Sequence, residues 1–452
     1  MQKRRKSACS GDDRRGSSVI AIAAPATSDN GAPSTAPTAW TVSALFTVAF
    51  LGVTAGVQMS DRGLQSVLLA AIQKSFQVGD ATIGALQGLA GVLVASAVAV
   101  PIARLADRMS RKVVLLGLII GWSALMVLSA LAPNFPLFFV GRAAAGVTEF
   151  AMIPIVYSLI PDLAPDRSRV AANLSFAALM AAGASAGFYF GDVIVHVAEA
   201  VFTFQAEPWR KAMLLLSLAG VPLLLLGLLT ADPRRTVIAD TQRPSASLLA
   251  FLRERWRAVG LFVGVAGSLM IAVQALNPLI ALALQRRFDA DMGQIGHALG
   301  IVTLATSIGC LPVAGFLDRA LRRRFGLAAR PMIMGLGALA SVPCAVLLLT
   351  AGDMDAALWL VAAFLFLTCT ANALVPTMLQ DLTPSELRAR SFAIWSFVVS
   401  IFCAIGPMVA GALSDLVLHG RLLSAIAVTA IPALVISALC AIRSMQSARA
   451  TA

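Results

Sequence analysis

Runs of about twenty predominantly apolar residues, the length a helix needs to cross a bilayer, recur along this chain with short polar breaks between them. After a polar stretch over 1–39, twelve such runs are read, at 42–70, 81–104, 112–132, 136–160, 170–195, 210–230, 257–283, 293–317, 329–351, 356–380, 390–414 and 422–442. Turn signals such as Pro133–Pro136 and Gly352–Asp353 mark the shorter breaks. The longest break, 231–256, is Arg-rich, carries Pro233 and Pro244, and divides six runs from six. The predicted fold is an all-α integral membrane protein of twelve transmembrane helices. Its expected parts are a disordered basic tail over 1–39, a six-helix bundle over 40–230, a linker over 231–256, a second six-helix bundle over 257–442 and a short tail over 443–452.

Composition agrees. Only 13% of residues are charged, about half of what a soluble domain carries, and 58% are apolar, with a mean hydropathy of +0.84. A soluble enzyme, a disordered chain and a disulfide scaffold are all excluded by that balance. Cys9 lies in the polar tail, while Cys310, Cys344, Cys369, Cys403 and Cys440 stand singly in apolar stretches with no CxxC and no metal-ligand spacing. Arg14–Arg15 ahead of 17–24 faintly resembles a twin-arginine signal, but Pro25 ends a very short apolar core, so a basic tail is expected.

The net charge of +12 comes from 35 Lys+Arg against 23 Asp+Glu. In a soluble protein it would suggest nucleic acid; here it sorts by loop. With the N-terminus inside, 27 of the 35 bases fall on the inner side and six, Lys74, Arg210, Lys211, Arg286, Arg287 and Arg421, on the outer side. The remaining two, Arg62 and Arg142, lie within runs. Basic residues collect in cytoplasmic loops, so both termini are expected in the cytoplasm, in a bacterial inner membrane, and no nucleic-acid partner is expected.

Two loop signatures repeat. ARLADRMSRK at 103–112 matches AGFLDRALRRR at 314–324, aligning Asp107–Arg108 with Asp318–Arg319. PDLAPDRSR at 161–169 matches QDLTPSELR at 380–388, aligning Asp162, Pro165 and Arg169 with Asp381, Pro384 and Arg388. The first pair follows the second run of each half and the second pair follows the fourth, the pattern of duplicated, pseudo-symmetric halves found in secondary transporters.

On these residues the sequence resembles the major facilitator superfamily, whose loop after the second span reads approximately Gly-x-Leu-Ala-Asp-Arg-x-Gly-Arg-Arg/Lys. Leu105, Ala106, Asp107, Arg108, Arg111 and Lys112 fit, while Ala103 and Ser110 replace the two glycines. The resemblance implies a cytoplasmic latch of Asp107, Arg108, Arg111, Lys112, Arg169, Asp318 and Arg319. Within the superfamily, MSDRGLQSVLLAAIQKSF at 59–76, GRAAAGVTEFAMIP at 141–154 and the Trp209–Arg210 step resemble the spinster-like and anion-symporter branches. The first branch implies an amphipathic or lipid-like substrate, the second a small organic acid.

Ionisable residues inside a span are costly unless paired, and so mark function. Asp61 and Arg62 lie in the first run, Arg142 and Glu149 in the fourth, and Asp192 near the outer end of the fifth. Arg142 and Glu149, seven residues apart, fall within about 20° of one another and about 10.5 Å apart along a helix. An Asp61–Arg142 pair is expected across the two helices, leaving Arg62 for Glu149 or an anionic substrate. Asp61 and Glu149 are the candidate proton-coupling groups. Arg62, Arg142, Tyr157, Gln274, Asn277 and Asn372 are the candidate substrate contacts, with Gln87 and His297 as further polar residues in apolar runs. Gly183, Gly187 and Gly191 form a small-residue face for close helix packing.

An ATP-driven pump needs a Gly-Lys-Ser/Thr phosphate loop, and none of the five lysines follows a glycine. A membrane-embedded enzyme would need clustered ligands or a nucleophile with its base; His196, His297 and His419 are far apart. A receptor or gated pore leaves the duplicated loops unexplained. The expected function is a proton-coupled secondary transporter, not an enzyme, working by alternating access. It is expected as a monomer without cofactor or metal, with protons, membrane lipids and a small-molecule or lipid-like substrate as partners.

Overall fold

Polar side chains in the short loops start the helices. Thr41 accepts from the Ala44 amide (3.1 Å) to open α1 (Val42–Phe76). After α2 (Asp80–Ala85), Ser110 caps α3 (Arg111–Ala130), and Asn134, with Pro136 in the first turn, caps α4 (Phe135–Leu163). Each cap satisfies an amide the helix leaves open. The computed structural model describes residues 39–94, 97–98, 109–165, 168–230, 248–384 and 387–450, and among these the secondary structure is helix and turn without a strand.

Among the described residues most of the expected runs fall on helices, with breaks the apolar pattern does not reveal. α2 passes into a π-helix over Leu86–Val94, and the rest of that run lies largely outside the described residues. α5 (Arg169–Tyr189) turns at Phe190 into α6 (Gly191–Val201), and α7 (Pro208–Leu218) gives way at Ala219 to α8 (Gly220–Leu228). The expected linker is not wholly irregular: α9 (Leu248–Glu254) precedes α10 (Trp256–Leu276), then α11 (Ile280–Phe288). Asp291 caps α12 (Met292–Phe325), which a single 3-10 turn separates from α13 (Ala329–Leu348). Asp353 caps α14 (Met354–Asn372), followed by α15 (Val375–Leu382), α16 (Arg388–Leu416) and α17 (Leu422–Ala450). α17 therefore continues through the expected C-terminal tail to Ala450. The tail over 1–38 and the linker over 231–247 lie outside the described residues.

Among the described residues ten stretches are long and apolar enough to cross a membrane; one of them, Met292–Leu348, holds both α12 and α13 in 57 residues. Helices suit that environment because their backbone hydrogen bonds are internal. The expected glycine face is a helix contact. α5 lies against α1 so closely that a Cβ on Gly183 would strike the Gly56 carbonyl and one on Gly187 the Ser60 carbonyl.

Buried apolar side chains form three clusters. Two are built by residues between Ala44 and Leu223; the third joins residues from Phe262 to Ala441 with Val67, Leu69, Ile83 and Phe188. The two halves of the chain meet along α2 and α5. The Ser185 hydroxyl donates to the Gly300 carbonyl (2.7 Å), and a Cβ on Gly84 would strike the Pro407 carbonyl.

Candidate functional site

α1 and α4 bring the four intramembrane charges together in two pairs. Arg142 Nη1 lies 2.8 Å from Asp61 Oδ2, with both side chains buried, at 6% and 1% exposure. The contact is off hydrogen-bond alignment, and neither Asp61 oxygen has an aligned donor among the described residues. The remaining Arg142 contacts hold the guanidinium in place: Nη2 donates to Gln65 Oε1 (2.8 Å) and Nη1 approaches Met126 Sδ (2.9 Å). The second pair is Arg62 Nε donating to Glu149 Oε2 at 2.8 Å. Glu149 is 2% exposed while Arg62 is 34% exposed, so the guanidinium is the accessible member. Its plane stands 4.7 Å from the Phe150 ring centroid, a cation–π contact.

Arg62, Arg142 and Glu149 share the wall of one cavity of about 250 Å³. Both halves build it, with Gln65, Ser66 and Gln87 on one side and Gln274, Asn277 and Thr303 on the other. The π-helix carries Gln87 to that wall; π-turns inside helices often mark functional sites. A short apolar run gives no sequence sign of one.

Three expected site residues, the proton-coupling Asp61 and the substrate contacts Tyr157 and Asn372, stand off the wall. Asp61 stands behind Arg142 and not on the wall. Tyr157 is 42% exposed, edge-on to Phe176 at 5.2 Å, and off the wall; eight residues beyond Glu149 it is turned by about 80° on the helix. Asn372 is exposed at the last residue of α14, also off the wall. His297 packs edge-on against Tyr189 at 4.6 Å. Gln65 was not among the expected site residues: a neutral amide in an apolar helix reads as an interhelical tie.

At the end of the bundle where α3 begins, Arg111 Nη1 lies 2.5 Å from Asp162 Oδ2. In the second half Arg330 pairs with Asp318 Oδ1 (3.0 Å) and with Asp381. Arg111 and Asp162 are 51 positions apart, as are Arg330 and Asp381, so the repeat extends from the loops to an ion pair. The expected latch is otherwise redistributed. Asp107 and Arg108 lie outside the described residues, and Arg169 is the first residue of α5. Lys112 caps α8, donating to the carbonyls of Leu228 (2.7 Å) and Thr230 (2.8 Å), because its ammonium reaches orphan carbonyls at that helix end. Arg319 donates to the Gly315 carbonyl (3.2 Å) one turn earlier on its own exposed helix face.

At the opposite end a polar cluster ties the halves together. Arg286 Nη2 lies 2.6 Å from Asp80 Oδ1, and Arg286 also donates to Gln73. The Ser414 hydroxyl donates to Asp80 Oδ2 (2.6 Å), and Asp415 accepts from the amides of Asp80 (3.0 Å) and Ala81 (2.7 Å). Burial works to raise the Asp80 pKa, but hydrogen bonds from Arg286, Ser414 and Gln73 outweigh it and hold the carboxyl below its ordinary value. Nearby, Glu207 is likewise lowered: burial opposes its charge, and donors from Ser75 (2.5 Å), Arg210 (3.2 Å) and Trp209 (2.9 Å) prevail. Arg210 also caps α3 through the carbonyls of Ala130 and Ala132.

Among the described residues no group of three or more His, Cys, Asp or Glu could hold a metal ion. A polar cavity with paired charges thus lies among membrane-length apolar helices from the N- and C-terminal parts of the chain. The chain belongs to the Major Facilitator Superfamily, whose sequence profile matches residues 51–367 and 265–450. It is similar to an MFS-type efflux pump of Mycolicibacterium smegmatis, 24% identical over 380 residues that cover 81% of this chain and 84% of that one. It is also similar to a gentisate transporter of Corynebacterium glutamicum, 25% identical over 355 residues covering 76% and 75%. Among solved structures, a bacterial homologue of the human lysosomal transporter Spinster, inward-facing and unoccupied, superimposes with a TM-score of 0.75 at 20% identity. That superposition covers 90% of this chain and 96% of the other. The chain is a multi-pass integral membrane protein with transporter relatives.

Proposed function

We propose that the chain is a proton-coupled secondary transporter that carries a small organic anion through the bilayer by alternating access. The observation that carries this reading is the Arg62–Glu149 pair on the wall of a cavity built by both halves. An anion arriving at the accessible Arg62 competes with Glu149 for the guanidinium. A buried carboxylate that loses its cation is costly as an ion, and a proton takes the cation's place. Proton and anion then cross together. Asp61 is the second proton-coupling group, linked to the cavity through Arg142, which keeps its charge throughout. Arg142, Gln274 and Asn277 contact the substrate.

A volume of about 250 Å³ favours a compact solute over a long acyl chain, and the gentisate transporter among the relatives supports the anionic choice. In this reading the chain crosses the bacterial inner membrane twelve times as two six-helix halves, 40–230 and 257–442, joined by 231–256. Both termini are cytoplasmic, supported by the 27 inner bases. The Asp80 cluster then lies outside, and the conformation is inward-facing. The protein works as a monomer, with Arg111, Asp162, Asp318, Arg330 and Asp381 tying helix ends on the cytoplasmic side.

The test is a thermal-shift screen of the purified protein against aromatic and aliphatic acids, sugars and lysolipids, followed by uptake of the best ligand into proteoliposomes. Stabilisation by acids and uptake that follows an imposed proton gradient are expected. Chemical turnover of the ligand without any gradient would replace the carrier with an enzyme.

A further inference from the structure

Apart from the central cavity, a second pocket lies where α9, α10, α15 and α16 converge. α10 runs from this end toward Arg286, so its first turn and α9 are at the Arg111 end of the bundle. The pocket has a volume of about 50 Å³ and apolar walls, among them Phe251 and Leu252 of α9 and Val259 of α10. The Phe262 and Trp395 rings close its depth, edge to face at 4.8 Å.

Two polar groups interrupt this lining. Thr383 and Ser391, 4% and 8% exposed, both border the pocket, and neither hydroxyl has a hydrogen-bond partner among the described residues. Buried hydroxyls left unpaired cost free energy, which a ligand carrying an acceptor removes. Between the pocket-lining Leu252 and Val259 the chain carries Arg253, Arg255 and Arg257, all exposed, with Glu254 the one acidic residue among them. Arg255 precedes Val259 by four residues, and its carbonyl accepts from the Val259 amide (2.9 Å), which puts it one turn below a pocket-lining residue on the same face. Trp256 is 63% exposed, with the Arg257 guanidinium 5.4 Å from its ring centroid. Exposed Trp beside clustered Arg is how a chain meets the headgroup layer of an anionic leaflet.

We propose that this pocket binds one anionic phospholipid, with its phosphate on Arg253 and Arg255, its ester oxygens at Thr383 and Ser391, and the start of one acyl chain between Phe262 and Trp395, while Arg257 adds positive charge at the same helix end. The choice of the cytoplasmic leaflet rests on the orientation proposed above; the site itself does not depend on transport.

Native mass spectrometry of the full-length protein, released from detergent with phosphatidylglycerol or phosphatidylcholine, reads the site without gradient or solute. Each arginine near an anionic leaflet is worth roughly fivefold in affinity. Wild type should therefore retain one phosphatidylglycerol at least about tenfold more tightly than phosphatidylcholine, and glycerol 3-phosphate alone should not displace it. The variant carrying Arg253→Gln, Arg255→Gln and Arg257→Gln should lose the preference, and Ser391→Phe, which fills the pocket, should lose retention of both lipids. Equal retention of the two lipids by wild type, or displacement by glycerol 3-phosphate, overturns the proposal without any variant. A preference that survives the triple substitution, or lipid retention unchanged by Ser391→Phe in folded protein, overturns it as well.

Discussion

Arg142, buried among the apolar helices, is shared among Asp61, Gln65 and Met126. Removing one member of a buried pair strands the other charge, at a cost of about 3–5 kcal/mol. Arg142→Gln should therefore lower thermal stability in detergent sharply, and Asp61→Asn in the same chain should recover part of the loss. A double variant no more stable than Arg142→Gln alone would show that the pair does not couple the two helices. The seven-residue spacing of Arg142 and Glu149 made their shared face legible, because helical geometry turns sequence separation into a direction. Gln65 was not legible. Its amide matters only because the Arg142 fork has a donor left over, and that depends on where α1 crosses α4.

At the scale of helices, two contacts carry distinct expectations. α1 and α5 touch backbone to backbone through Gly56, Ser60, Gly183 and Gly187. Gly187→Leu has no room for its side chain and should separate them, measured as a loss of folded monodisperse protein on size exclusion. Retention of a wild-type profile would show that the contact can shift at no cost. The glycine spacing made that contact readable, whereas the partner helix was not, since spacing marks a face and not what it meets.

The Asp80 cluster ties α1, α2, α11 and α16 at one end. With its pKa held below the ordinary 3.8, Asp80 favours the tied state above that pH, and the contribution is lost only as pH falls through the lowered value. Accessibility of a cysteine placed at Ala81 should therefore stay constant from about pH 5 to 8, while Asp80→Asn should raise it at every pH. A steep change across that range would assign the end to a different titrating group. Nothing in the sequence foretold this cluster, because Asp80 and Arg286 are 206 positions apart and each reads alone as a solvated loop charge.

For the molecule as a whole, the repeated loop signatures are matched by two ion pairs at the same 51-residue spacing, Arg111–Asp162 and Arg330–Asp381. The breaks at Phe190, Ala219 and the π-helix were hidden, since hydropathy reports how apolar a run is and not how it winds. Yet the π-helix is what carries Gln87 to the cavity wall. Arg62 and Glu149 meet there at the boundary between exposed and buried surface, and the proposed coupling of proton and anion rests on that one contact. The direct test is transport by Glu149→Gln in proteoliposomes, with uptake driven by a pH gradient compared against counterflow of preloaded substrate. Uptake driven by the gradient should disappear while counterflow, which needs no net proton movement, persists. Undiminished gradient-driven uptake would contradict the role of Glu149 in coupling.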